Sequence, residues 1–265
     1  MKKINVGITG CTGTLGRLTT KKIDKEKHVS YSCFKGDITN KNDINEWLRN
    51  NTFDSLIHYA AIVPTKEVDN DMERAIEVNK FGTQNLIESL IEFKSSAWLF
   101  YSSTSHVYDF SSKAISESCA IKPISGYGQT KLMGEKALQK SFKFYKGKLC
   151  IGRIFSFFHE SQEDFFLYPQ VKKRLQNHNP KDAFELNGAE NIRDFLNAEE
   201  IVDIIFKLMK IEFNGIINIG SGIPVTIQNF VREKFRLPDL QIINLSYNTN
   251  SLYADVDKMK SVLKK

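Results

Sequence analysis

Short apolar runs alternate along the chain with longer stretches of helical periodicity. Ile4–Thr9, Val29–Ser32, Ser55–Ala60, Trp98–Ser102, Leu149–Ile154 and Ile216–Ile219 read as strands. Unbroken runs of this kind fit strands buried on both faces, as in a parallel sheet. Leu15–Ile23 follows the first run as a helix. Met72–Phe93 places Ala75, Val78, Leu86, Leu90 and Ile91 on a helical period, and Ala198–Met209 carries a stripe of Ile201, Ile204, Ile205, Leu208 and Met209. The alternation predicts βαβ units and an α/β fold, a Rossmann-type doubly wound parallel sheet. Beyond Phe155 the pattern loosens into an aromatic, irregular region with Phe157-Phe158 and Phe165-Phe166. Residues 1–155 therefore read as the Rossmann domain, to which helix 198–210 and strand 216–219 pack back. Residues 156–265 read as a small C-terminal lobe over the carboxyl edge of the sheet, where open α/β sheets bind ligands.

Composition narrows the class without naming it. The 265 residues, 41% hydrophobic and 26% charged, suit a soluble globular protein with one large domain or a main domain and an appendage. The net charge of +6 is spread among acids, as in Lys21-Lys22-Ile23-Asp24-Lys25-Glu26-Lys27. That is a solvated basic surface able to attract phosphorylated substrates, and no basis for a nucleic-acid partner. Met1–Val6 leads directly into a strand, with no apolar stretch resembling a signal peptide or membrane span, so a cytoplasmic protein with no membrane partner is expected. Cys11, Cys33, Cys119 and Cys150 show no Cys-x-x-Cys spacing and no histidine at ligand intervals. They are expected to be reduced thiols, with no metal site.

Thr9-Gly10-Cys11-Thr12-Gly13-Thr14-Leu15-Gly16 stands between the first strand and the first helix, the place of a dinucleotide loop. Gly10 would turn the chain, Gly13 admit a pyrophosphate, and Gly16 let helix and strand pack closely. The helix start then offers free N–H donors to the phosphates. About 20 residues on, NAD-binding proteins usually place an acid for the ribose hydroxyls. Here Ser32-Cys33-Phe34-Lys35 has none, and Arg17 with Lys35 can neutralise a 2′-phosphate. NADP(H) is the preferred cofactor on this reading, with NAD(H) possible.

Tyr127 and Lys131 are four apart in Ser125-Gly126-Tyr127-Gly128-Gln129-Thr130-Lys131-Leu132 and share a helix face. A phenol titrates at about 10 and an adjacent ammonium lowers that by about 1–3 pH units, which predicts a usable proton donor or acceptor. Alone the pair is common in surface helices; its company gives it meaning.

That company resembles the extended short-chain dehydrogenase/reductases acting on nucleotide sugars. The motifs occur in family order: Thr-Gly-x-x-Gly-x-x-Gly at 9–16, Gly36-Asp37-Ile38, His58-Tyr59-Ala60-Ala61, and Val78-Asn79-x-x-Gly82-Thr83-x-Asn85-Leu86. Ser102-Ser103-Thr104-x-x-Val107-Tyr108, Tyr127-x-x-x-Lys131, Arg193-Asp194-Phe195 and Asn218–Gly222 complete the series. The segments around Thr104 and Tyr127 look most like dTDP-4-dehydrorhamnose reductases, whereas the back half looks more like epimerases and dehydratases. The resemblance implies catalytic Thr104, Tyr127 and Lys131. It implies a cofactor path along Gly10, Thr12, Gly13, Thr14, Leu15, Gly16, Arg17, Lys35, Asp37, Ile38, Tyr59, Ala60, Ala61, Asn79 and Ile154, ending on Tyr127 and Lys131. Thr104, Ser105, His106 and Ser156 would meet the sugar, and Arg193 its diphosphate.

Two departures matter. Ser156-Phe157-Phe158 replaces the family's Asn and Tyr-Gly, implying a more apolar pocket. Ser105-His106 replaces the dehydratases' Asp-Glu pair, which disfavours loss of water. The resulting expectation is NAD(P)H-dependent reduction of a keto group, at C4, on a nucleotide-linked 4-keto-6-deoxyhexose, in deoxysugar biosynthesis for surface polysaccharide. The alternatives are an epimerase with tightly bound NAD and a non-catalytic NADP-binding partner subunit. A homodimer through Met72–Phe93 and Tyr127–Phe142 is expected by the same resemblance.

Overall fold

The computed structural model describes residues 3–179 and 182–264. The first part of the chain runs β1 (Ile4–Thr9), α1 (Thr14–Ile23), β2 (Val29–Cys33), α2 (Lys41–Arg49), β3 (Ser55–His58), α3 (Thr65–Asn70) and α4 (Met72–Ile76). A π-helical turn at Glu77–Gly82 leads to α5 (Thr83–Glu92), β4 (Trp98–Thr104), α6 (Gly126–Phe142) and β5 (Leu149–Ile154). Then come β6 (Ser156–Phe158), α7 (Leu167–Gln176), β7 (Phe184–Leu186), β8 (Ile192–Asn197), α8 (Ala198–Lys210) and β9 (Gly215–Ile219). The chain closes with β10 (Pro224–Thr226), α9 (Ile227–Phe235), β11 (Ile242–Asn244), β12 (Ser251–Leu252) and α10 (Asp257–Leu263).

Six strands form one parallel sheet in the order β2-β1-β3-β4-β5-β9. The order reverses between β1 and β3, which places the switch point, where such sheets open a crevice, at the end of β1. Alternate residues serve opposite faces. Ile57, Phe100, Cys150 and Ile217 pack with α1 and α8, whereas Leu56, Leu99, Tyr101 and Ile151 pack with α2, α5 and α6. Both faces are apolar, as the unbroken runs require. A separate cluster of Val171, Phe184, Leu186, Ile227, Phe230 and Val231 joins α7 and α9 to the small β11-β7 pair. Beside it β8 pairs with β6, β10 and β12.

Helix starts follow local chemistry. Asn40, Ser125 and Asn197 accept backbone N–H bonds at the beginnings of α2, α6 and α8. Helix α8 also carries Glu199 and Glu200 in its first turn and Lys207 and Lys210 in its last, matching its dipole. No helix among the described residues is long and apolar enough to cross a membrane.

Three expectations need correction. Met72–Phe93 is not one α-helix, because the π-helical turn interrupts it at a buried asparagine. The Asn79 amide accepts from Ile62 N (2.8 Å) and donates to Ile62 O and Thr130 Oγ1 (2.9 Å each), pinning this turn to the β3 exit and to α6. Such turns occur where a helix must present a side chain inward. Strand β3 stops at His58, since Ala60 N turns away to the Thr9 hydroxyl (3.2 Å) and frees Tyr59 and Ala60 to form a loop. Finally, Cys11 and Cys33 are joined in a disulfide, not reduced; Cys119 and Cys150 are free. Parallel pairing sets Ile8 opposite Cys33, so the loop leaving β1 brings Cys11 over the end of β2.

Candidate active site

A cleft of about 890 Å³ opens along the carboxyl ends of β1, β3, β4 and β5. One end is the glycine-rich loop, lined by Gly10, Thr12, Gly13, Thr14, Leu15 and Gly16. Gly10 has φ +74°, and a Cβ there would lie 2.6 Å from Ala60 N. Only glycine lets the two loops approach so closely. Tyr59, Ala60 and Ala61 form the central wall, with the Tyr59 hydroxyl held by Thr19 Oγ1 at 3.0 Å. Ile154 lines the floor.

In the middle, α6 and the end of β4 meet. Thr104, Ser105, His106, Tyr127 and Lys131 all line the cleft. The Thr104 hydroxyl, which accepts from His106 N at 3.2 Å, stands close enough to the Tyr127 phenol to act on it. The expected lowering of the phenol by the ammonium is not what the structure shows. Burial pushes the Tyr127 phenol up, opposed only by the Thr104 hydroxyl. The same burial pushes the Lys131 ammonium down to about 7, with the nearby Glu135 carboxylate working against it. Desolvation is the largest influence on both groups, with Lys131 almost wholly buried and Tyr127 half-buried at the cleft wall. The phenol therefore keeps its proton, as a donor must. Lys131 is only 1% exposed, and its ammonium has no hydrogen-bond acceptor among the described residues.

His106 is neutral, driven down to about 4 by burial and then by the Arg193 charge, with Nδ1 3.0 Å from Ser125 Oγ. It can offer a hydrogen bond to a hydroxyl, but it is no acid at neutral pH. At the far end Ser156, Phe157, Phe165, Phe166, Phe195 and Arg193 line the cleft. Arg193 donates to the Ile192 carbonyl (2.8 Å) and the Asn250 carbonyl (3.3 Å), lies 5.7 Å from the Phe110 ring centre and pairs with no carboxylate among the described residues. Burial lowers its guanidinium to about 10. Its neighbour Asp194 faces the other way and accepts from Ser221 N, Ser221 Oγ, Gly222 N and Ala254 N. A half-buried, unpaired guanidinium is a receptor for an anion.

Five expected residues stand outside the cleft lining. Asn79 and Ile38 are buried behind it. Asp37 is exposed and accepts from Thr39 N (2.9 Å) and Oγ1 (2.8 Å), which holds its carboxyl below the usual range, with Arg74 adding to the effect. Lys35 is exposed. Arg17 is engaged: it donates to Thr12 O, to Ser161 O (2.7 Å) and to Glu163 Oε1 (3.0 Å). Glu163 also accepts from the Thr14 hydroxyl (3.1 Å), at the start of α1. Glu163 had no signal in the sequence, since it meets the loop from 149 residues away. Phe165 and Phe166 were visible as an aromatic cluster without an assigned place. The support beneath the site was also invisible. Glu135 accepts from Ser103 Oγ, Arg153 Nε (3.1 Å) and Arg153 Nη2 (2.8 Å), and Arg153 Nη1 donates to the Tyr108 hydroxyl (2.9 Å).

The family model for GDP-mannose 4,6 dehydratase matches residues 6–264. GDP-6-deoxy-D-talose 4-dehydrogenase of Aggregatibacter actinomycetemcomitans is 25% identical over 264 residues, 97% of this chain and 86% of that one. Among solved structures, RMD from Pseudomonas aeruginosa complexed with NADPH superposes with a TM-score of 0.86 at 18% identity, covering 99% of this chain and 93% of that one. MoeE5 in complex with UDP-glucuronic acid and NAD gives 0.84 at 21% identity, covering 98% and 92%. At such identities the two structures establish a shared fold.

Proposed function

Because the chain belongs to the extended short-chain dehydrogenase/reductase family of nucleotide-sugar epimerases and dehydratases, we infer that it reduces the C4 keto group of a nucleotide-linked 4-keto-6-deoxyhexose. The observation that carries this reading is the cleft itself. Thr104, Tyr127 and Lys131 converge beside the glycine-rich loop, while an unpaired Arg193 waits at the other end. The similar talose 4-dehydrogenase acts, by its name, at the same carbon of a GDP-linked 6-deoxyhexose. The residues at 105 and 106, Ser and neutral His, supply no acid pair for dehydration.

The cleft fits a nicotinamide dinucleotide. Gly13 lines the cleft at the start of α1 without a side chain to obstruct a pyrophosphate, and the Lys131 ammonium, which has no acceptor among the described residues, meets ribose hydroxyls. When bound, the reduced cofactor supplies the hydride. Tyr127 donates its proton to the carbonyl oxygen as charge develops there. The Thr104 hydroxyl bonds that oxygen and the phenol together. Lys131 then compensates the phenolate left behind. General acid catalysis of this kind contributes about 10²–10⁴-fold. Arg193 grips the substrate diphosphate, and Phe157, Phe165 and Phe166 cover the sugar and exclude water. With no acid at the end of β2 and Lys35 exposed just beyond it, NADPH is the favoured donor and NADH the alternative.

The test is loss of reduced-nicotinamide absorbance when the protein meets GDP-, dTDP-, UDP- and CDP-linked 4-keto-6-deoxyhexoses. Oxidation with at least one of them supports the reading. A protein that purifies with dinucleotide and interconverts sugars without net oxidation is instead an epimerase.

A further inference from the structure

Lys131 presents a problem that its own helix does not solve. Its side chain is almost wholly buried, and its ammonium, which borders the cleft, lacks a hydrogen-bond acceptor among the described residues. The carboxylate nearest in sequence, Glu135, is already committed to Arg153 and Ser103. His58, from β3, carries no charge, because burial drives it to about 3 and its two nitrogens lie against Thr9 Oγ1 (2.6 Å) and Thr83 Oγ1 (2.9 Å). Tyr127 keeps its proton. The charged or titratable groups facing Lys131 are therefore a neutral imidazole, a neutral phenol and an internally compensated ion pair.

What lies beneath the ammonium is the Tyr101 ring, whose centre is 4.1 Å from Lys131 Nζ. A cation over an aromatic face is attracted by the ring quadrupole, most strongly where water is excluded. Tyr101 is completely buried on β4, and two further contacts fix its ring. Its hydroxyl donates to the Lys131 carbonyl at 3.2 Å, on the turn of α6 that carries the ammonium. The helix is notched to receive that hydroxyl: a Cβ on Gly134 would lie 2.2 Å from it. The His58 ring packs against the tyrosine at 5.6 Å.

We propose that Tyr101 is a positioning residue, whose ring face holds the Lys131 ammonium, charged and aimed, under the cofactor ribose. The inference rests on Lys131 anchoring a nicotinamide dinucleotide, as in the function proposed above. It does not depend on which sugar is reduced.

The experiment measures NADPH and NADH affinity by fluorescence, from mildly acidic to alkaline pH, in Tyr101→Phe, Tyr101→Leu and Lys131→Met. A series with mono-, di- and trifluorinated phenylalanine at position 101 keeps shape nearly constant while weakening the ring face. Tyr101→Phe should bind within about 2-fold of the parent, because the ring remains. Tyr101→Leu should lose about 10–30-fold, the size of a desolvated cation–π contact. Its loss of affinity with rising pH should begin about one pH unit lower, since an ammonium without the ring gives up its proton sooner. The fluorinated series should fall stepwise. In a Lys131→Met background, Tyr101→Leu should add nothing. A flat fluorination series, an effect of Tyr101→Leu that persists without Lys131, or a Phe variant as weak as Leu would each overturn the proposal. Graded affinity without turnover of any keto sugar would reject the proposed reduction and leave this inference standing.

Discussion

The Glu135–Arg153 pair offers a quantitative check on how the site is supported. The two side chains are 1% and 4% exposed and share two hydrogen bonds, and they join α6 to β5 directly beneath the catalytic residues. Glu135→Leu would leave a buried guanidinium whose remaining hydrogen-bond partner among the described residues is the Tyr108 hydroxyl. Breaking one side of such a pair costs about 3–5 kcal/mol, whereas replacing both by apolar residues of similar volume is near neutral or stabilising. For a chain of this size that loss lowers Tm by roughly 6–20 °C. The assay is a double-mutant cycle of Glu135→Leu, Arg153→Met and the combined protein, followed by thermal and urea unfolding. Both single variants should fall by the larger amount, and the double variant should recover most of it. The loss should be insensitive to added salt, because buried pairs are screened little. Single losses below about 1 kcal/mol, the range of a surface pair, would refute the reasoning. So would a double variant as unstable as the sum of the two.

Four other outcomes follow from the site and its surroundings. Tyr127→Phe should cut turnover by about 10²–10⁴-fold while dinucleotide still binds, which single-turnover assays and fluorescence titration separate. Arg193→Ala should raise KM for the nucleotide sugar by about 10–150-fold, the worth of charged hydrogen bonds, with little change in cofactor affinity. Thiol titration in denaturant without reductant should find Cys119 and Cys150 reactive and Cys11 and Cys33 silent, and Cys33→Ser should cost about 3 kcal/mol for a link spanning 22 residues. Lys131 falls from 10.5 to about 7 on folding, so between those values the unfolded chain holds more protons and stability rises with pH. Lys131→Met should abolish that rise in pH-dependent melting, and an unchanged slope would count against a buried ammonium.

The strands and the glycine-rich loop were readable because their signals are local: unbroken apolar runs for the sheet, and glycine spacing at a strand–helix junction for the loop. Tyr127 and Lys131 were readable because four residues make one helical turn. What escaped depends on partners that only the fold brings together. Cys11 finds Cys33 through the register of β1 against β2, which no cysteine spacing encodes. Glu163 reaches Thr14 and Arg17 across the cleft. The Asn79 turn looked α-helical, because the same apolar period runs through a π turn and only the buried amide distinguishes them. The direction of the Tyr127 shift depends on burial, and a motif carries no measure of water.

Strand β8 shows how little separates an attractive cleft from a repellent one. Arg193 and Phe195 face the cavity while Asp194 and Leu196 face away, since neighbouring side chains on a strand project to opposite sides. Slipping β8 by one residue against β6, β10 and β12 would exchange the roles. A carboxylate would then confront the incoming diphosphate, and a guanidinium would be pressed against the backbone N–H groups of Gly222 and Ala254, donors it cannot accept from. The sign of the local potential is thus decided by odd–even parity along six residues, while the basic charge of the whole molecule has little to do with it.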